Sequence, residues 1–108
     1  MPKRQNIIEE ENKQEWLTHH IDQPGVVTRV GTRYFTELHG MRIGKGGRDC
    51  KILFYDGEPS KNGKLIIGLT ITENYMFKRL DCTAYNGLYC LVLVDKDGIM
   101  GDFTLYYA

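Results

Sequence analysis

Short runs of β-favouring residues alternate with turn-forming clusters over most of the chain, from Val26 to Tyr107. The runs cover residues 26–30, 33–38, 50–55, 65–71, 88–94 and 103–107. Gly31-Thr32 and the stretch from Asp95 to Gly98 have the composition of tight hairpin turns. Short strands at this spacing predict a mainly β fold, an antiparallel β-sandwich of about six to eight strands that is of the jelly-roll or the immunoglobulin-like (Ig-like) type.

Two of these runs also indicate how their strands are covered. Residues 65–71 place apolar side chains at period two, which is typical of a strand with one buried face. Residues 88–94, Leu-Tyr-Cys-Leu-Val-Leu-Val, are apolar at every position. We therefore predict a central strand there, either covered on both faces or lying in an interface.

The first 25 residues have a different pattern and are predicted to form a helix or arm that precedes a sandwich domain over residues 26–108. Asn6 and Glu9 have the spacing of a capping box, and the acidic residues 9–11 suit the positive end of a helix dipole. This predicts a helix over residues 7–20. Its apolar stripe is narrow, so such a helix must rest on its own sheet or on a neighbouring chain.

The formal net charge is zero, but the charge is unevenly distributed along the chain. Residues 1–22 contain three basic and five acidic side chains, residues 26–51 six and two, and residues 52–108 five and seven. Any surface that binds an anionic partner is therefore expected within residues 26–51, which we call the basic segment. Nucleic acid is not the expected partner, because a small basic patch on a neutral protein would bind it only weakly.

No group of residues in the sequence indicates catalysis, a cofactor or a metal. Cys50, Cys82 and Cys90 lie in apolar strand contexts and lack the spacing of zinc ligands, so we interpret them as buried thiols. The glycine-rich residues 40–47 lack the spacing of a phosphate-binding loop. We expect a protein that is not an enzyme, with no catalytic, cofactor-binding or metal-binding residues. No apolar run is long enough to span a bilayer, so no membrane partner is expected.

Four stretches share a recognisable order of strand ends and turns. They are KILFYDGEPSKNGKLI (residues 51–66), DC (81–82), NGLYCL (86–91) and DFTLYY (102–107). Their YDG, GKLI, NGLY and TLYY elements resemble those of small β-sandwich proteins found among the structural genes of tailed bacteriophages. This resemblance implies a virion component, either a capsid decoration (cement) protein or a head–tail or tail accessory protein, that acts as a symmetric oligomer.

The leading hypothesis is a non-enzymatic structural or adhesion protein of a bacteriophage virion, synthesised in the host cytoplasm, that binds other virion proteins and forms a homo-oligomer. Its predicted partner-binding residues are Trp16, Leu17, Arg42, Lys45 and Arg48. Trp16 and Leu17 are chosen because buried apolar anchors dominate interface energetics; alternatively, they attach the predicted helix to its own sheet. The alternative hypothesis is a small intracellular inhibitor that binds a host enzyme or nucleic acid through the basic segment.

Overall fold

In the part of the chain that the structure describes, the regular structure consists almost entirely of β-strands. The computed structural model describes residues 16–45, 47–72 and 75–108. The strands are β1 (Leu17–Ile21), β2 (Thr28–Val30), β3 (Thr36–Ile43), β4 (Arg48–Asp56), β5 (Lys64–Ile71), β6 (Met76–Ala84), β7 (Leu88–Ile99) and β8 (Phe103–Tyr107). The helical structure of the described ranges is limited to one 3₁₀ turn, Pro59–Lys61, between β4 and β5.

The strands form two antiparallel four-stranded sheets that enclose one core. Sheet A has the order β1-β8-β3-β6, and sheet B has the order β2-β7-β4-β5. Among the eight described strands, only β4 and β5 are both consecutive in the chain and paired, so each other connection between these strands passes from one sheet to the other. The predicted antiparallel β-sandwich is therefore confirmed.

The core lies between the sheets because successive side chains of a strand point to opposite faces. Its buried residues are Ile21, Leu38, Met41, Ile43, Ala84, Phe103 and Leu105 from sheet A and Val30, Cys50, Ile52, Phe54, Ile71, Leu88, Cys90 and Val92 from sheet B. Strand β7 lies between β2 and β4. This confirms the central position predicted for residues 88–94.

The helix predicted over residues 7–20 is wrong in its last part. Residues 17–21 form strand β1, which pairs with β8 from Leu17 opposite Tyr107 to Ile21 opposite Phe103. Residues 7–15 lie outside the described ranges. Pairing with β8 provides hydrogen bonds along one side of β1 and buries Ile21, and such tertiary contacts outweigh a weak local preference for helix. Sheet A therefore includes a strand that precedes Val26, where the sandwich domain was predicted to begin.

Both predicted hairpin turns are also wrong, because the strands that follow them lie in the other sheet. Gly31-Thr32 connects β2 of sheet B to β3 of sheet A. Residues 95–98 lie inside β7, which continues to Ile99 opposite Arg48 of β4. Strand pairing thus overrides the turn-like composition of this stretch. The sequence pattern also gave no bounds for β6, although it placed Cys82 in a strand context.

Candidate functional site

Aromatic side chains form a connected row on the outer face of sheet A, which points away from the core. Trp16 stacks on His39 with ring centroids 4.6 Å apart and an interplanar angle of 9°. Tyr106 lies 6.4 Å from Trp16, and Phe77 lies 5.7 Å from Tyr106. We call Trp16, His39, Tyr106 and Phe77 the aromatic row. It crosses sheet A from the start of β1 to the edge strand β6.

Strand register and one glycine explain why this row forms. Tyr106 lies opposite Gly40 of β3, near the middle of the sheet. The Phe77 ring covers Gly40, and a Cβ atom at this position would overlap the ring. The register of β3 also shifts at His39, as in a β-bulge, which commonly re-aims a side chain. Gly40 therefore lets the Phe77 ring approach the sheet, while the shift coincides with the residue that stacks on Trp16.

The aromatic row continues into an open groove of about 680 Å³. The groove is lined by Arg42, Ile43, Gly44, Lys45, Tyr75, Met76, Phe77, Asp102, Thr104 and Tyr106. In the part of the chain that the structure describes, neither Arg42 nor Lys45 takes part in an ion pair. Two positive charges thus lie beside exposed aromatic rings. This arrangement suits an anionic group that is attached to an apolar or planar one.

One polar cluster next to the groove superficially resembles a catalytic triad. The Nδ1 atom of His20 lies 3.4 Å from Asp102 Oδ1 and 3.4 Å from Thr104 Oγ1. In a triad, the carboxylate and the hydroxyl contact opposite nitrogens of the ring, so that the histidine can take the hydroxyl proton. Here both oxygens approach the same nitrogen, and the three side chains therefore do not form a proton relay.

The structure brings together three of the five predicted partner-binding residues. Trp16 belongs to the aromatic row, and Arg42 and Lys45 line the groove. Leu17 is half exposed, but it lies opposite Tyr107, whose side chain packs against the core. Trp16 and Leu17 therefore point to opposite faces of sheet A.

The basic segment does not form one continuous patch. Arg48 lies in sheet B, and its guanidinium donates a hydrogen bond to the backbone oxygen of Asp97 at 3.1 Å. The Arg29 guanidinium lies over the rings of Tyr34 and Tyr89, at 5.4 and 5.8 Å from their centroids. The Arg48 contact joins β4 to β7, and the Arg29 contacts lie at sheet B, so these two arginines do not extend the groove on sheet A.

Three aromatic residues of this face were not predicted as partner-binding residues: Tyr75, Phe77 and Tyr106. Tyr106 could have been found from the sequence, because it belongs to the strand predicted over residues 103–107. Side chains of a strand alternate between its two faces, so Tyr106 points away from the core that Phe103 and Leu105 face. Phe77 lies at the start of β6 and Tyr75 directly precedes this strand, whose bounds were not predicted. Their association with Arg42 depends on the pairing of β3 with β6.

The cysteine thiols lie outside the groove. Burial raises the pKa of the Cys90 thiol to about 12, and desolvation also raises the pKa values of Cys50 and Cys82. A protonated thiol is a poor nucleophile and a poor metal ligand. Among the described residues, no group of three or more His, Cys, Asp or Glu side chains could hold a metal ion. Those residues also include no helix with the length and apolar character of a membrane span.

Comparisons with known proteins return no match: no protein-family model, no curated protein and no solved structure matches this chain. The function is therefore inferred from the geometry of this chain and from the motifs in its sequence.

Proposed function

We propose that this protein is a non-enzymatic structural or adhesion component of a bacteriophage virion, either a capsid decoration (cement) protein or a head–tail or tail accessory protein. The observation that carries the proposal is the grouping of Trp16, Arg42 and Lys45 on one face of sheet A, next to exposed aromatic rings. The virion context comes from the resemblance of the YDG, NGLY and TLYY elements.

The order of the strands supports a jelly-roll sandwich over an immunoglobulin-like one. Eight strands are divided equally between the sheets, with the orders β1-β8-β3-β6 and β2-β7-β4-β5. A jelly roll is a double sheet of eight strands built from two Greek keys, and viral capsid proteins use it repeatedly. A fold does not by itself define a function. The strand order supports the virion role only together with the surface and the motifs.

The aromatic row and the groove would act together when a partner binds. Aromatic rings bury a large area at a small cost in conformational entropy, so they supply contact energy. Arg42 and Lys45 complement an acidic segment, which orients the partner and accelerates association. The expected partners are other capsid or tail proteins that present acidic residues beside an apolar side chain, and further copies of this chain. The protein would be synthesised in the host cytoplasm and incorporated into the particle.

The inhibitor hypothesis has less support from the structure. A surface for nucleic acid needs contiguous positive charge. Arg29 and Arg48 instead contact sheet B, so only part of the basic segment lies at the groove. An enzyme bound through Arg42 and Lys45 alone would use the same face that we assign to virion proteins.

Purified particles of the phage that encodes this protein provide the test. Mass spectrometry should find the protein at a fixed copy number, and particles made without it should rebind the purified chain. Arg42→Glu combined with Lys45→Glu should weaken rebinding at least about tenfold. The matched control is Lys51→Glu combined with Lys96→Glu, which changes the charge equally at exposed lysines outside the groove. If mass spectrometry does not find the protein in unmodified particles, the virion role is overturned. Equal rebinding by the groove variant and the control variant would overturn the assigned face.

A further inference from the structure

We propose that the edge strand β5 pairs antiparallel with β5 of a second copy of this chain, so that two B sheets join into one eight-stranded sheet. This interface is separate from the groove on sheet A, and it does not depend on the virion role. An edge strand presents unpaired backbone N–H and C=O groups that another strand can bind. Within the described ranges, β5 pairs only with β4.

Three of the four edge strands are protected against such pairing. Strand β2 has three residues and β1 has five, so each offers few hydrogen bonds. Strand β6 has nine residues, but it contains Lys78, Arg79 and Asp81. Lys78 lies opposite the buried Met41 and therefore faces the core side, and Asp81 has a φ angle of 48°. An inward-facing charge and a distorted backbone both oppose edge-to-edge pairing.

Strand β5 has neither a charge in its interior nor a proline. Its sequence is KLIIGLTI, and Lys64 at its first position is the only charged residue. The Leu65 side chain is 57% exposed, while Ile66, Ile67 and Leu69 are half-buried at the margin of the core. Natural sheets seldom leave a long apolar edge uncovered, because such an edge associates with other strands. The strand is therefore suited to a partner strand.

Symmetry and charge favour a second copy as that partner. A two-fold axis at Gly68 would place Ile67 opposite the partner's Leu69, so apolar side chains would meet across the new pair. Antiparallel pairing also separates the two Lys64 ammonium groups by roughly 26 Å, which exceeds the screening length at physiological salt. A parallel arrangement would place these like charges side by side.

The expected interface is small, which sets its strength. Eight paired residues span roughly 26 Å, and the shortest dimension of the molecule is 18 Å. The contact therefore covers on the order of 500 Å² of each subunit, below the roughly 800 Å² per partner of a standard interface. We expect a reversible dimer with a micromolar dissociation constant, not an obligate one.

Sedimentation velocity on the full chain, from about 1 μM to about 1 mM, should show a monomer–dimer equilibrium. Leu65→Glu combined with Thr70→Glu should weaken the dimer at least about a hundredfold, because Thr70 would lie opposite the partner's Ile66, beside its Leu65, so the carboxylates of the two copies come close together. Within one subunit, residue 70 lies opposite Lys51, so the monomer tolerates the new charge. Mixing this variant with the variant that carries Leu65→Lys and Thr70→Lys should restore dimers.

The control variant carries Val26→Glu and Val27→Glu. It adds the same charge at exposed valines near the opposite edge of sheet B and should leave the monomer–dimer equilibrium unchanged.

Hydrogen exchange on the unmodified chain tests the same interface without any substitution. Within residues 64–71, the alternate amides that point away from β4 should be protected at high protein concentration and exchange faster at low concentration. Protection of these outward amides that does not change with concentration would mean that another segment of the same chain covers β5, and it would overturn the proposal. A chain that stays monomeric to about 1 mM, or a Glu variant that dimerises as well as the unmodified chain, would overturn it too.

Discussion

The carboxylate oxygen Oδ1 of Asp56 lies 2.7 Å from the backbone nitrogen of Asn86 and accepts its hydrogen bond. The same oxygen accepts a second bond from the backbone N–H of Tyr85 at 2.9 Å. Next to this contact, the Gly57 N–H donates to the Gly87 backbone oxygen at 2.8 Å. These bonds join the YDG end of β4 to the NGLY start of β7. Two of the four elements on which the resemblance rests, YDG and NGLY, are thus parts of one structural contact.

Replacement of Asp56 tests the strength of this contact. We expect Asp56→Ala to lower the free energy of unfolding by about 1–2 kcal/mol, because it leaves two backbone N–H groups without their acceptor. Asp56→Asn keeps one carbonyl oxygen and should cost less. Urea unfolding monitored by circular dichroism gives both values. Asp97→Ala is the control, because the Asp97 carboxylate has no bonded partner among the described residues. Equal losses in Asp56→Ala and Asp97→Ala would contradict the assignment.

The absence of a side chain at Gly40 is a second testable feature. Gly40→Ala places a Cβ atom against the Phe77 ring and 2.9 Å from the backbone oxygen of Lys78. The backbone cannot move as easily as a side chain, so we expect a loss of about 1–3 kcal/mol in thermal or urea unfolding. Gly68→Ala is the matched control in a strand, since its Cβ meets only the end of the flexible Leu53 side chain. A cost at Gly40 no larger than at Gly68 would count against the packing of Phe77 on sheet A.

How far the sequence predicts this fold depends on how local each signal is. The strands β7 and β8 were predicted because their apolar residues form continuous or alternating runs. Strand β1 was not, because its sequence LTHHI has little strand character and follows a capping-box signal. Its conformation depends on pairing with β8 at the far end of the chain, from Leu17 opposite Tyr107 onwards. A local pattern does not contain such a pairing.

The candidate site likewise combines residues that a local sequence signal indicates with residues that only the strand pairing brings close. Arg42 and Lys45 were predicted because charge is visible in a segment of sequence. The aromatic rings beside them come from β6 and β8, which are distant in sequence and become neighbours of β3 only through the sheet order. Arg48 was predicted with the same segment, but it lies in the other sheet because the chain crosses over between β3 and β4. The charge pattern therefore does not show which of these basic residues share a face of the sandwich.

The stacking of Trp16 on His39 predicts a fluorescence change, because Trp16 is the only tryptophan of the chain. His39→Ala should expose one face of the indole, shift its emission to longer wavelength and increase quenching by acrylamide. Such aromatic pairs contribute about 0.5–1.5 kcal/mol, so the variant should stay folded. His20→Ala is the control, since His20 contacts Asp102 and Thr104 on the same sheet. An unchanged emission spectrum in His39→Ala would show that the two rings do not stack in solution.

Burial of the Cys90 thiol predicts a loss of stability at alkaline pH. Its pKa rises from 9.0 to about 12 in the folded protein because the thiolate would be desolvated. Between these values the folded state keeps a proton that the unfolded state has released, so the free energy of unfolding falls as pH rises. The stabilisation by the protonated Cys90 thiol is complete below pH 9 and decreases towards pH 12, by at most about 4 kcal/mol.

Tyrosines and lysines titrate in the same pH range, so the effect of the Cys90 thiol is isolated by comparison with Cys90→Val. In urea unfolding at several pH values from 8 to 11, Cys90→Val should lose less stability than the unmodified chain. Cys82→Val, at a half-buried thiol, should change the pH dependence less. Parallel curves for the unmodified chain and Cys90→Val would show that the Cys90 thiol is not desolvated in the folded protein.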